Sequence, residues 1–213
     1  MYKCHIMWYN IKNRRIFRIF HPLFERGTFM KKVVSLLLAL LMLVLFVGCP
    51  VRTSSVEDAL IAVRKLDLDA FEKLLSADTV ANFARVRDYD AALTASKREA
   101  LRSLYGKLQY TMGEESEPEN GTKTVSVTLT LPDMAQVRSI AQAEILASGR
   151  TVEEIIADML ANGTVASNTT TVTLSVKLTE QDGAWYIPYS DTENAALLQA
   201  LALSEMFRFF AMN

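Results

Sequence analysis

In Thr122-Lys123-Thr124-Val125-Ser126-Val127-Thr128-Leu129-Thr130-Leu131, polar and apolar side chains alternate without a break from Thr124 onward, and Pro132-Asp133 follows at once. A period of two sends successive side chains to opposite faces of a strand, so Val125, Val127, Leu129 and Leu131 share one face and Thr124, Ser126, Thr128 and Thr130 the other. One face is expected to pack, and the other to be wet or to line a cleft. Upstream, residues 109–114 lead through Pro118-Glu119-Asn120-Gly121 into this strand. Asn-Gly between strand-like runs predicts a hairpin, because both residues tolerate the positive φ of a tight turn. Downstream, residues 169–179 repeat the alternation, with Val172, Leu174, Val176 and Leu178 against Thr171, Thr173, Ser175 and Lys177. Asp182-Gly183 turns that strand back into residues 185–189, which makes a second hairpin.

Helical periodicity fills the rest. Between the hairpins, Pro132-Asp133 opens a helix to Ser148, with the proline in its first turn and Gly149 as its stop. Thr151 with Glu154 caps a second helix to Ala161, ended by Asn162-Gly163. Ahead of the first hairpin, Ser54 with Glu57 caps a helix over 54–66 whose Val56, Leu60, Val63 and Leu66 lie on one face. Asp69 with Glu72 caps a short helix over 70–75, and Ser96 with Glu99 caps another over 96–108 after a polar loop at 85–90. Residues 192–210 form a last helix, apolar nearly all round, which wants burial. The fold class is α+β: N-terminal helices packed on a curved antiparallel sheet of two hairpins, with an inserted helix pair and a C-terminal helix.

Charge divides the chain at Cys49. Of 23 Lys and Arg, eight precede it, against the single acid Glu25, which leaves about −8 on the residues from Cys49 onward. So acidic a domain lacks the clustered cations that bind phosphate backbones, and no nucleic-acid partner is expected. Met30-Lys31-Lys32, the apolar run 33–47 and Gly48-Cys49 have the three parts of an export signal over 30–48, too short for a comfortable membrane span. Leu45-Phe46-Val47-Gly48-Cys49 resembles the bacterial lipobox, although Phe46 stands where that motif usually has leucine. The resemblance implies cleavage before Cys49 and lipidation of that cysteine, residues 49–53 then being a tether. The chain is thereby expected outside the cytoplasmic membrane, anchored to it by lipid. Residues 1–29, basic and aromatic, are expected to be upstream sequence ahead of a true start at Met30.

His5, His21 and Cys4 all precede Cys49, so residues 50–213 contain neither histidine nor cysteine. Cysteine-rich zinc sites, thiol catalysis and Ser-His-Asp machinery are excluded there, and no metal or cofactor is expected. Asp67-Leu68-Asp69-Ala70-Phe71, Thr124-Val125-Ser126-Val127-Thr128 with Leu131-Pro132-Asp133-Met134, and Lys177-Leu178 to Trp185-Tyr186-Ile187 resemble the nuclear transport factor 2-like superfamily and, within it, small bacterial lipoproteins. That resemblance implies a single cone-shaped α+β domain over 54–213.

The expected function is a non-enzymatic module that binds a small ligand or a cell-envelope partner. The alternative is a hydrolase or isomerase-like enzyme using Asp and Tyr without His. Candidate cleft residues are Tyr105, Tyr110 and Tyr186 with the threonine faces at Thr128 and Thr173. Trp185 and Tyr186, being adjacent on a strand, face opposite sides. Asp88-Tyr89-Asp90 is read as a solvated loop, and Glu114, Glu115, Glu117 and Glu119 as a charged turn without the spacing of a calcium loop. The C-terminal helix is expected to close the domain, with docking on an envelope protein or on a second copy, as a homodimer, as the alternative use.

Overall fold

Two turns in left-handed backbone set the sheet in a computed structural model that describes residues 55–213. Cys49, the segment 30–48 expected to direct export, and the expected cap Ser54 lie outside those residues. Asn120 and Gly121 have φ of 50° and 71°, and Glu119 and Thr122 exchange backbone hydrogen bonds of 2.8 and 2.9 Å across them. This turn joins β1 (Gln109–Glu115) to β2 (Thr122–Pro132). Asp182 and Gly183, with φ of 52° and 77°, likewise join β3 (Thr169–Gln181) to β4 (Ala184–Tyr186). The strands lie in the order β1-β2-β3-β4, all neighbours antiparallel. β2 and β3 pair continuously from Thr122 opposite Thr179 to Pro132 opposite Thr169.

That register sorts the side chains as the alternation requires. Val125, Val127, Leu129, Leu131, Leu174, Val176 and Leu178 are buried on one face. Burial of each such side chain contributes about 1.5–3 kcal/mol, so a one-residue slip would forfeit the whole set. Helices cover this face. In α1 (Ser55–Lys65), Val56, Leu60 and Val63 are buried, and the Ser55 hydroxyl donates to the Trp185 carbonyl at 2.6 Å. The short α2 (Leu68–Glu72) is capped by Asp67, which accepts from the Ala70 amide at 2.9 Å, two residues before the expected Asp69. Asp69 and Glu72 are instead held by Arg87, both at 2.5 Å.

Arg87 belongs to a helix the sequence did not announce. Residues 85–90, expected as a loop, lie in α3 (Ala84–Ala91), entered from a 3-10 turn at Val80–Phe83. Thr94, not Ser96, caps α4 (Ala95–Tyr105), accepting from the Lys97 amide at 3.3 Å. Asp133 caps α5 (Met134–Ser148), Pro132 being the last residue of β2, and Gly149 ends the helix at φ 68°. The Thr151/Glu154 capping box opens α6 (Val152–Ala161) as expected. A single unforeseen turn, α7 (Thr164–Ser167), then leads into β3.

The C-terminal segment is two helices, α8 (Ala195–Leu201) and α9 (Leu203–Met212), broken at Ala202 with φ 47° and ψ 32°. By length and composition residues 195–212 could span a membrane. Yet Leu197, Leu201, Leu203, Met206, Phe207 and Phe210 are all buried in the domain, and the Tyr105 hydroxyl donates to the Leu201 carbonyl at 2.9 Å. The sign of one substitution tests the break. Glycine inside a continuous helix costs about 1 kcal/mol relative to alanine. At a left-handed position alanine carries a steric cost of roughly that size, which glycine removes. Ala202→Gly is therefore expected to hold or raise stability, by up to about 1 kcal/mol, and Ala202→Val to lower it by more than about 1 kcal/mol. Urea unfolding of both variants checks this.

Candidate functional site

The outward face of the sheet carries hydroxyls in rows. Thr128 bonds Thr173 across the strands at 2.8 Å, and Thr130 bonds Thr171 at 2.9 Å, all at the surface. Tyr186, opposite Thr179, shares this face by register and is half-buried. Trp185 sits on the other side, where the Lys123 ammonium lies 4.4 Å from its ring centroid and also pairs with Glu115.

Tyr105 and Tyr110 belong to the packed side. Tyr105 is fully buried between α4 and α8, and burial pushes its phenol well above the usual range. Tyr110 stands opposite Leu129, donates to Glu57 at 3.4 Å and lies under the Arg64 guanidinium at 5.8 Å. Its phenol is raised by burial first and by the Glu57 charge second. The five cleft candidates are thus divided between the two faces of the sheet, Tyr105 and Tyr110 on one and Tyr186, Thr128 and Thr173 on the other.

The other polar groups are mostly spoken for. Asp90 accepts from Arg98 at 2.8 Å, while Asp88 is exposed on α3. Glu114, Glu117 and Glu119 are exposed at the first hairpin. Among the described residues, no group of three acids, His or Cys is close enough to hold a metal ion.

A larger concavity than either face of the sheet offers these candidates lies where the 3-10 turn, the β2–α5 junction, the loop before α8 and the start of α9 meet. It is a half-enclosed groove of about 1130 Å³. Asn82 and Arg85 line it from one side, Asp133 and Arg138 from another, and Asp191 and Glu205 from the C-terminal part. Tyr189 forms part of its wall, packed edge-on against Phe83 at 5.2 Å between ring centroids. Burial raises the Tyr189 phenol, a hydrogen bond with Ser204 acting against that rise. It therefore presents a neutral hydroxyl at pH 7. Two contacts fix its backbone: its amide donates to Thr79 Oγ1 at 2.8 Å, and its carbonyl accepts from Asn82 at 2.9 Å.

No family model matches the chain, and no curated protein does. Among solved structures, the “putative lipoprotein (ycdA)” from Bacillus subtilis subsp. subtilis str. 168 is similar at 13% identity and a TM-score of 0.33, over 65% of this chain. The chain spans 55% of the length of that structure. So distant a likeness fixes neither fold nor function, and the groove must be read from its own chemistry.

No sequence motif pointed to the groove, because its lining comes from segments up to about 120 residues apart and no two of them form a spaced pattern. One signal was present. Tyr189 follows Pro188, which cannot donate to a ladder, and a proline there argues against a strand continuing to 189. The observed strand ends at Tyr186.

Proposed function

We propose that this chain is a lipid-anchored extracytoplasmic module, of the cone-shaped nuclear transport factor 2-like kind, that binds a small ligand in the groove beside Tyr189 without transforming it. The observation that carries the binding reading is the groove itself: about 1130 Å³, half-enclosed, with Leu198, Ala81, Ala135 and Ala195 among charged groups. Ligand sites combine those features, apolar walls for affinity and a few polar groups for orientation. The anchoring reading rests on the positive start, apolar run and lipobox-like end before Cys49.

Native mass spectrometry of the full chain, released gently from its own membrane, tests binding. A reproducible extra mass that disappears in Ala135→Trp, which puts an indole into the groove, is the expected result. A mass retained in that variant places the ligand elsewhere, and a bare parent chain refutes tight binding. Anchoring is tested by labelling with an alkyne-bearing fatty acid. Label on the parent and none on Cys49→Ser, with a parent mass beginning at Cys49, is expected. Label on the Cys49→Ser variant, or a parent that retains residues 1–48, would refute it.

A further inference from the structure

Eight arginines fall among the described residues, at 64, 85, 87, 98, 102, 138, 150 and 208. Four hold carboxylates: Arg87, Arg98, Arg102 and Arg150. Arg64 lies over the Tyr110 ring. Of the three without such a contact, Arg85 and Arg138 both line the groove, from different helices, although the domain around them is acidic overall. Asp191 and Glu205 line it too and take part in no ion pair with any described cation. The groove thus keeps two guanidiniums and, besides Asp133, which caps α5 through the Gln136 amide at 3.0 Å, two carboxylates, and none of these groups neutralises another. Gln199 adds a side-chain amide at the same wall, with the one donor group and one acceptor that match a peptide bond.

We infer that the ligand is a short peptide with free ends, its terminal carboxylate taken by Arg85 and Arg138 and its terminal ammonium by Asp191 and Glu205. This rests on the reading of the groove as a binding site. A guanidinium matches a carboxylate by paired N–H donors, and an ammonium is held by carboxylates as a compact charge. The volume exceeds what a single amino acid fills. Half-buried Leu198 and the exposed Ala81, Ala135 and Ala195 in the same lining suit small side chains on a spanning backbone.

Tetra-alanine titrated into the full chain in detergent micelles, read by calorimetry, is the test. The free peptide is expected to bind, with C-terminal amidation and N-terminal acetylation each weakening it about tenfold. Arg85→Gln with Arg138→Gln should abolish discrimination between acid and amide, and Asp191→Asn with Glu205→Gln that between amine and acetyl. These side chains are at the surface and hold no ion pair, so the melting temperature should stay unchanged in both double variants. Equal binding of capped and free peptide, or no binding at millimolar concentration, overturns the peptide. If tetra-alanine fails while native mass spectrometry shows another mass lost in Ala135→Trp, the groove stands and only the peptide falls. If both fail, the groove reading falls with it.

Discussion

Asn194→Leu is expected to destabilise the protein by about 3–5 kcal/mol, more than any single surface change, because one buried amide closes the open edge of the sheet. β4 covers β3 only at Thr179, Glu180 and Gln181. Beyond that, the Lys177 amide donates to Asn194 Oδ1 at 2.8 Å, and Asn194 Nδ2 donates to the carbonyls of Lys177 at 3.2 Å and Pro188 at 2.9 Å. The side chain continues the ladder for one residue as another strand would. Asn194 is 2% exposed, so water cannot readily replace it. Leucine has similar size and would leave three backbone groups unpaired, each costing about 1–3 kcal/mol.

The midpoint in urea should fall with m unchanged, and the Lys177 amide should lose hydrogen-exchange protection disproportionately. A loss below about 1 kcal/mol would mean that solvent or a neighbour takes over those bonds. The same residue precedes α8, which carries Ala195, Leu198 and Gln199 into the groove. A damaged edge should therefore weaken ligand retention as well.

How far the sequence could be read follows from how local each cause is. Asn120-Gly121, Asp182-Gly183, Gly149 and the Thr151/Glu154 box act within four residues, and each appears where the residues put it. The packed and wet faces of β2 and β3 follow from alternation alone. Competing caps were harder. Asp67 and Asp69, or Thr94 and Ser96, are equally good acceptors by type, and tertiary partners choose between them: Arg87 claims Asp69, and Glu153 accepts from Ser96 at 3.2 Å. α3 was invisible because only Val86 of it is buried, so it has no apolar stripe, and its order comes from Arg87 and from packing on α9.

The break at Ala202 contradicts helix propensity, which favours continuation through alanine. It exists in the fold around Tyr105, whose hydroxyl meets the carbonyl just before it. The groove inherits the last two of these non-local choices, α3 and the break at Ala202. Its walls include residues from the 3-10 turn, α3, α8 and both sides of Ala202, so a reading that lacked them could name tyrosines and threonines but not the place where polar groups converge.

Stability should fall steeply above pH 10, and two tyrosines should account for a large share of the slope. Burial raises the phenols of both Tyr105 and Tyr189 above the ordinary value near 10. In each case the folded state binds its proton more tightly than the unfolded chain. The stabilisation from each is fully present below pH 10 and is lost as pH rises toward the folded value. While one of these phenols stays neutral and its unfolded counterpart ionises, the loss approaches about 1.4 kcal/mol per pH unit. The effects reinforce each other, since ionised Tyr189 opposes ionisation of Tyr105.

Tyr105→Phe separates this linkage from general alkaline damage. At pH 7 it gives up the bond to Leu201 and should cost about 1–2 kcal/mol. Above pH 10 it loses nothing further at that position, so the stability curves of variant and parent should converge and then cross. Tyr189→Phe should flatten the curve similarly at a smaller cost at pH 7, its hydroxyl being partnered by Ser204 at the groove rather than by a core carbonyl. Urea denaturation from pH 7 upward reads both curves, with tyrosinate absorbance reporting ionisation directly. Parallel curves for parent and Tyr105→Phe would show that this phenol already ionises in the folded protein near its ordinary value, and that water reaches the space between α4 and α8.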